Sequence, residues 1–143
     1  MKIGIVGTGY VGLVTGTCFA EMGYDVLCVD IDPVKVDKLS KGIPTIFETG
    51  LELLLKRNIK EGRLSFTMRL EDAATTCKVL FFALPTPPGG DGAADLSYIK
   101  GAAKNLAKIW SDTNHNDYCV VVNKSTVPVG TADSVRAILE EQG

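Results

Sequence analysis

The amino-acid sequence predicts an α/β fold, with a doubly wound and mostly parallel sheet, from three features of the chain. Short apolar runs with little polar alternation recur along it, as expected for strands that are buried on both faces of a parallel sheet. Predicted helices separate these runs, and repeated strand–helix units with right-handed crossovers build a doubly wound sheet. The length of 143 residues suits one domain, so residues 1–143 are expected to form a single domain.

The elements follow one another as apolar runs and helical segments. The first strand is an apolar run whose glycine-rich turn opens the first helix, and a turn at Gly23 introduces the second strand. The predicted strands are Lys2–Val6, Asp25–Asp30, Ser65–Thr67, Val79–Leu84 and Tyr118–Asn123. The predicted helices are Tyr10–Met22, Pro33–Lys41, Gly50–Glu61, Glu71–Thr76, Leu96–Ile109 and Thr131–Gln142. Trp110 is expected to end its helix as a packing residue.

Composition and charge exclude several classes of protein. Hydrophobic residues make up 45% and charged residues 22% of the chain, which is typical of a soluble globular domain. The net charge of -2 provides no basic surface for nucleic acid and no attraction to an anionic membrane. No apolar stretch approaches the roughly 20 residues that span a bilayer, and the N-terminus is predicted to be a strand rather than a cleavable signal. A cytoplasmic protein without nucleic-acid or membrane partners is expected.

The cysteines and the single histidine are assigned no chemistry. Cys18, Cys28, Cys77 and Cys119 have spacings that match neither a zinc motif nor a CxxC redox pair. We expect them to be small buried side chains in a reducing cytoplasm, and no metal site is predicted. His115 lies in a polar turn and is expected to be a solvated loop residue rather than a base or a metal ligand.

A glycine-rich turn directly follows the first strand. It consists of Gly7, Thr8, Gly9, Tyr10, Val11 and Gly12. A turn of this kind between a strand and a helix presents backbone N–H groups and the positive end of the helix dipole to a phosphate. In that geometry Gly7 permits the tight turn, Gly9 lets the backbone touch a pyrophosphate, and Gly12 lets the helix pack closely on the strand. The whole turn is therefore predicted to bind a cofactor.

Asp30 supports a Rossmann-type dinucleotide-binding domain because it ends the second predicted strand. A carboxylate at that position accepts the hydroxyls of an adenosine ribose and repels a 2′-phosphate. The next residue is Ile31 rather than an arginine, so NAD is the predicted cofactor in preference to NADP. Lys35 would approach either the ribose or the phosphates. The alternative role of a helix cap before Pro33 fits Asp32 better than Asp30.

Three further segments are expected at the carboxyl edge of the sheet, where ligands bind in open α/β sheets. The first follows the strand Val79–Leu84 and is rich in proline and glycine, so it is either a cofactor wall or an ordinary surface loop. Its location after a buried strand favours the cofactor wall, with the Thr86 hydroxyl close to the nicotinamide or its ribose. The predicted contacts in this segment are Leu84, Pro85, Thr86 and Pro87.

The other two segments carry polar side chains with two alternative roles each. Lys124, Ser125 and Thr126 follow the last predicted strand. Their hydroxyls would either bind the nicotinamide side and position a reacting oxygen, or cap a turn. Glu48 lies between two predicted helices, where it would contact substrate or favour the N-terminus of the next helix. The residue chemistry alone leaves these alternatives open.

With these motifs in view, the chain resembles the N-terminal, NAD-binding domain of the UDP-glucose/GDP-mannose dehydrogenase family. The resemblance covers essentially the whole chain and rests on four segments in order. They are GTGYVGLVTG with FAEMGYDVLCVDID, IFETGLELLLKRN, PTPPGGDGAADLSYI and KSTVPVGTA. The last of them is more similar to the UDP-glucose branch of the family than to the GDP-mannose branch.

The resemblance implies an oxidoreductase that converts the primary alcohol of a nucleotide sugar to a carboxylate. A cysteine thiolate captures the aldehyde, the thiohemiacetal is oxidised to a thioester, and water releases the acid, with two NAD reduced in succession. For the UDP-glucose branch, UDP-glucose, two NAD and water give UDP-glucuronate and two NADH, a step of polysaccharide biosynthesis. The complete enzyme is implied to associate as a homo-oligomer through a central helix.

The resemblance also implies roles for particular residues. The turn from Gly7 to Gly12 would hold the pyrophosphate, with Asp30 and Lys35 at the adenosine ribose. The segment from Leu84 to Pro88 would line the cofactor. In the KSTVPVGTA segment the serine and the first threonine would reach toward the nicotinamide, and that threonine, Thr126, matches the family residue that positions a water at the reacting carbon.

The chain departs from the family pattern in two respects. A proline usually follows the glutamate of the third segment, where this chain has Thr49, so a substrate role for Glu48 is less secure. The family's nucleophilic cysteine, its lysine and asparagine partners, its sugar-binding residues and its central helix match nothing in the 143 residues. We therefore expect the isolated chain to bind NAD without turning over substrate. Alternatives are a stand-alone nucleotide-sensing module, or the cofactor half of another NAD-dependent dehydrogenase of GDP-mannose or β-hydroxyacid type.

Overall fold

The computed structural model describes residues 2–46, 48–84, 97–113, 119–123 and 135–139. The described strands are β1 Lys2–Val6, β2 Asp25–Val29, β3 Leu64–Thr67, β4 Val79–Phe82 and β5 Val120–Asn123. The described helices are α1 Tyr10–Glu21, α2 Pro33–Ser40, α3 Leu51–Lys60, α4 Leu70–Thr76 and α5 Ser97–Asp112. Residues 135–139 are also helical. Along these ranges, no helix combines the length and the apolar character that crossing a bilayer requires.

The described strands form one parallel sheet in the order β3-β2-β1-β4-β5. β1 lies at its centre, where Ile5 pairs with Cys28 of β2 on one side and with Phe81 of β4 on the other. The chain winds outward from β1 to β3 and then returns to place β4 on the other side of β1. This reversal leaves a crevice at the carboxyl ends of β1 and β4, and the predicted doubly wound α/β fold is confirmed.

Two cores lie on opposite faces of the sheet, because successive strand residues point to opposite sides. On one face, Val26 and Cys28 pack with residues of α1 and α3, including Leu13 and Leu55. The alternate positions of β2 pack on the other face against α4 and α5, where Leu106 is fully buried. Helices therefore cover both faces, which explains why the strands are apolar without a regular polar alternation.

The observed elements differ from the predicted ones mainly at their ends. The fifth helix was predicted to stop at Ile109, but α5 continues to Asp112, so Trp110 lies within the helix rather than at its end. Its side chain packs against the core, and its indole N–H donates to the Ala74 carbonyl at 2.9 Å. This tertiary contact holds the last turn of α5 in place. β4 stops at Phe82, two residues before its predicted end.

The cysteines are only partly as expected. Cys28 and Cys77 are buried and Cys119 is half-buried, whereas Cys18 is exposed, so the expectation of a buried Cys18 was wrong. Cys18 lies on the solvent face of α1, opposite the small residues that pack on the sheet. Burial raises the pKa of Cys28 to about 12 and that of Cys119 to about 11, so both thiols stay protonated at neutral pH.

Asp32 caps the N-terminus of α2, as the sequence predicted. Its Oδ1 accepts hydrogen bonds from the N–H groups of Val34 at 3.0 Å and Lys35 at 3.3 Å, and Pro33 occupies the first helical position. We expect Asp32→Ala to lower the free energy of unfolding by about 1 kcal/mol, measured by urea denaturation. Asp32→Asn should retain most of the stability because asparagine caps equally well. An equal loss of unfolding free energy in both variants would show that the loss does not come from the helix cap.

Candidate functional site

A groove of about 750 Å³ opens at the carboxyl edge of the sheet, beside the reversal between β1 and β4. It is bounded by the turn after β1, the ends of β2, β3 and β4, and the first half of α5. Its volume is in the range of small-molecule and cofactor sites. Several residues predicted to bind a cofactor line it, namely Gly7, Thr8, Gly9, Tyr10, Val11, Asp30, Lys35 and Leu84.

Two glycines of the turn are required by the protein's own packing. Gly7 has a φ of 104°, in the left-handed region, and a side chain there would collide with the Ala83 carbonyl oxygen. A side chain at Gly12 would overlap the Gly7 carbonyl oxygen. The Gly7 N–H donates to the Val29 carbonyl at 2.8 Å, which fixes the turn against β2. These contacts position the turn and bring α1 close to the sheet.

Gly9 is different because the described part of the chain leaves its surroundings open. Among the described residues, no atom lies within 4 Å of the position that a Gly9 side chain would occupy. Gly9 is also the N-cap of α1, without a capping side chain, and the fully described first turn of that helix contains no acidic residue. The backbone N–H groups and the helix dipole are therefore available to an anion that enters the open space.

Asp30 lies directly after β2 and beside the glycine turn. The Thr8 N–H donates to Asp30 Oδ2 at 3.0 Å, and the Thr8 hydroxyl donates to the same oxygen at 2.6 Å. The Asp32 N–H donates to Oδ1 at 3.0 Å. Lys35 Nζ lies 3.7 Å from Oδ2. The structure thus places the predicted acid next to the predicted turn, with the predicted cation beside it.

These contacts keep the Asp30 carboxylate ionised. Burial acts to raise the pKa of Asp30, but the hydrogen bonds from Thr8 and Asp32 and the charge of Lys35 outweigh it and lower that pKa. The stability that Asp30 contributes is therefore present above its unfolded-state pKa and is lost as the pH falls through the lower folded-state pKa. A carboxylate in this state accepts hydroxyl donors and repels phosphate.

Sequence reasoning missed the apolar side of the groove. Met68 lines it from the end of β3, and Tyr98, Gly101 and Ala102 line it from α5. β3 pairs in parallel with β2, so its carboxyl end reaches the same edge as Asp30, and that parallel pairing was the available signal for Met68. The α5 residues recur at helical spacing, but a sequence pattern does not say which face of α5 meets the groove.

Glu48 and Tyr10 form a contact that the sequence did not predict. The Tyr10 hydroxyl donates to Glu48 Oε2 at 2.8 Å, and both residues are exposed. This hydrogen bond and the charge of Glu48 raise the pKa of Tyr10. The contact ties the segment before α3 to the first turn of α1. A substrate contact by Glu48 stays a prediction.

The remaining predicted site residues lie outside the described ranges. They are Pro85, Thr86, Pro87, Pro88, Lys124, Ser125 and Thr126. His115, which was expected to be a solvated loop residue, also lies outside these ranges. The roles assigned to them, including the positioning of a water by Thr126, stay predictions. Among the described residues, the space left open beside Gly9 adjoins the ionised carboxylate of Asp30. This is the arrangement expected of a dinucleotide-binding turn.

Comparisons with known proteins agree with this geometry. Residues 1–143 match the family described as "UDP-glucose/GDP-mannose dehydrogenase family, NAD binding domain". UDP-glucose 6-dehydrogenase of Rhizobium meliloti is 50% identical over 142 residues, which cover 99% of this chain and 31% of that protein. The chain thus spans about a third of the length of this relative.

Two solved structures share the fold over nearly the whole chain. GDP-mannose dehydrogenase from Pseudomonas aeruginosa, in a ternary complex, superposes with a TM-score of 0.94 at 34% identity, covering 99% of this chain and 32% of that chain. UDP-glucose dehydrogenase from Pyrobaculum islandicum gives 0.92 at 38% identity, with coverages of 99% and 32%. From the match over all 143 residues, the chain belongs to the UDP-glucose/GDP-mannose dehydrogenase family and corresponds to its NAD-binding domain.

Proposed function

We propose that residues 1–143 form one domain whose groove holds NAD in a defined orientation. The pyrophosphate lies against the turn at Gly9, the adenosine ribose lies at Asp30, and the nicotinamide end points toward Leu84. The apolar wall that includes Met68 and Tyr98 suits the adenine ring. The observation that carries this proposal is the open space at Gly9, one residue from the Thr8 N–H that binds Asp30. When bound there, NAD would serve as the hydride acceptor of the oxidation.

We also propose that the complete enzyme oxidises the primary alcohol of UDP-glucose to a carboxylate. Support comes from the 50% identity to a UDP-glucose 6-dehydrogenase, a protein about three times as long as this chain. The oxidation removes four electrons, so two NAD are reduced in succession. Burial raises the thiol pKa values of Cys28 and Cys119, which makes both poor candidates for a nucleophile. By family resemblance, we assign the catalytic thiol to another part of the complete enzyme.

The same proposal includes the setting of the complete enzyme. We place it in the cytoplasm, because the described cysteines are unpaired thiols, as is usual in a reducing compartment. Association into a homo-oligomer is part of the proposal by family resemblance and involves segments other than those described. In this setting the domain binds and orients NAD. The rest of the complete enzyme binds the nucleotide sugar and supplies the catalytic thiol.

Calorimetric titration with NAD and with NADP tests the cofactor site. We expect saturable NAD binding and much weaker NADP binding, because the Asp30 charge repels a 2′-phosphate. Asp30→Ala should weaken NAD binding by about 1–3 kcal/mol, the scale of a charged hydrogen-bonded group. Asp37→Ala is the matched control, since Asp37 is an exposed aspartate of α2 that pairs with Lys41 at 3.1 Å. An unchanged NAD affinity in folded Asp30→Ala would refute the assignment.

A further inference from the structure

Thr8 is a buried polar residue of the glycine turn that follows β1. It is 1% exposed, although Gly9 beside it is open to solvent. Its hydroxyl and its N–H both point at one atom, Asp30 Oδ2, at 2.6 Å and 3.0 Å. The two residues are separated by 22 positions in the chain, so this contact links the turn after β1 to the residue that follows β2.

The Asp30 carboxylate has few acceptor positions left. An ionised carboxylate offers about four lone-pair positions on its two oxygens. Thr8 donates to both positions of Oδ2, and the Asp32 N–H takes one position of Oδ1. Lys35 Nζ approaches Oδ2 only to 3.7 Å, as an ion pair rather than a hydrogen bond. One position therefore remains for a ligand, and it belongs to Oδ1.

We propose that Thr8 is a positioning residue, which holds the Asp30 carboxylate so that Oδ1 alone offers a free acceptor to the adenosine ribose. This inference rests on the proposed role of Asp30 and assigns Thr8 an action through that carboxylate rather than a direct side-chain contact with the cofactor. The side chain of Asp30 has two rotatable bonds, and the paired donors of Thr8 select one orientation. NAD then meets a preorganised acceptor and does not have to order it.

The charge state of Asp30 depends on the same contact. The Thr8 hydroxyl lowers the pKa of Asp30 together with the Asp32 N–H and the Lys35 ammonium, against the opposing effect of burial. Among the described residues, the Asp32 carboxylate also lies near Asp30 and is directed to the N-terminus of α2. Loss of the Thr8 hydroxyl should raise the pKa of Asp30. The acidic decline in NAD affinity should then begin at a higher pH than in the unaltered protein.

Three threonine variants test the inference by calorimetric titration with NAD between about pH 4 and about pH 8, the range in which a carboxylate and its neighbours titrate. Thr8→Val removes the hydroxyl at constant shape, and we expect about tenfold weaker binding at neutral pH, as for loss of a hydrogen bond to a charged group. Thr8→Ser keeps the donor and should restore most of the affinity. Thr17→Val is the matched control, because the Thr17 hydroxyl is also buried but donates to the Leu13 carbonyl at 2.8 Å.

A double-mutant cycle with Asp30→Asn separates the two modes of action. If Thr8 acts through Asp30, Thr8→Val should cause no additional loss in the Asp30→Asn background. An equal loss in both backgrounds would show a direct cofactor contact and overturn the inference. Unaltered affinity and pH profile in folded Thr8→Val would also overturn it. Thr8→Ala removes the same hydroxyl and replaces the valine variant in the cycle if valine prevents folding.

The cycle also distinguishes failure of this inference from failure of the proposed function. Weak NAD binding in Asp30→Asn with full affinity in Thr8→Val would leave Asp30 as the ribose acceptor and remove the role of Thr8. Full affinity in Asp30→Asn would overturn the ribose assignment, and the positioning role would fall with it. Loss of affinity in the Thr17→Val control would show that any buried threonine change disturbs the site, which would likewise count against Thr8.

Discussion

Gly12→Ala is expected to destabilise the domain by about 3 kcal/mol or more, the upper range for overpacking a closely packed site. Within a helix, glycine to alanine normally adds roughly 1 kcal/mol of stability, so the expected sign is reversed. The reason is that the new methyl group would overlap the Gly7 carbonyl oxygen and lie 3.2 Å from the Ala83 side chain. The Gly7 backbone is anchored to β2 through its N–H, so its carbonyl oxygen cannot move aside as a flexible side chain can. Urea denaturation measures the loss.

Gly9→Ala is the matched comparison in the same turn. Nothing among the described residues lies within 4 Å of the new methyl group, and the Gly9 backbone, at φ -69° and ψ -167°, is open to any residue. Stability should therefore change by no more than about 0.5 kcal/mol, while NAD binding weakens at least about tenfold because the methyl group enters the space proposed for the pyrophosphate. Full stability in Gly12→Ala would contradict the packing role of Gly12. Normal NAD affinity in Gly9→Ala would contradict the ligand-binding role of Gly9.

Asn58→Ala is expected to cost about 3 kcal/mol of unfolding free energy, because it removes four hydrogen bonds of a fully buried amide, three of them with charged side chains. Asn58 is fully buried in α3, at the edge of the sheet opposite the groove. Its amide N–H₂ donates to Glu21 Oε2 and to the Leu54 carbonyl, each at 2.8 Å. Its amide oxygen accepts from Arg63 Nε at 3.2 Å and Nη2 at 3.0 Å. One side chain thus joins α1, α3 and the start of β3.

The control for this variant is Lys56→Ala on the same helix. Lys56 forms an exposed ion pair with Glu52 at 2.8 Å, and removal of such a pair costs about 0.5 kcal/mol or less. Both variants should bind NAD as the unaltered protein does, because the Asn58 network lies away from the groove. Near-normal stability in Asn58→Ala would mean that water or a shifted Arg63 satisfies the exposed groups, and the network would then not hold the three elements together.

The parts of the fold and site that the sequence predicted are those set by local chemistry. The turn from Gly7 to Gly12, the acid at Asp30 and the cap at Asp32 each depend on a few consecutive residues, and each lies where it was expected. The alternation of apolar runs and helices was sufficient for the doubly wound sheet. The strand limits were less exact: Leu84 was predicted to end a strand, but β4 stops at Phe82 and Leu84 lines the groove.

The parts that the sequence did not predict depend on contacts between distant segments. The pairing of Thr8 with Asp30 requires the register of β1 and β2, and the approach of Met68 and Tyr98 to the groove requires the positions of β3 and α5. The exposure of Cys18 depends on which face of α1 meets the sheet. Residue type alone carries little information on such choices, because a small thiol is compatible with either face.

The central position of β1 has a consequence for protein engineering. The turn after β1 is fastened on both sides, by the bond from Gly7 to Val29 and by the bond from the Ala83 N–H to the Val6 carbonyl at 2.8 Å. These two hydrogen bonds hold the middle of the sheet's carboxyl edge in a fixed position. The proposed phosphate position therefore lies on a rigid part of the backbone. Among the described residues, the segment after β3 carries no such pair of backbone hydrogen bonds to both neighbouring strands. Exchange of this outer segment is therefore the route to a new ligand preference that leaves the middle of the sheet edge intact.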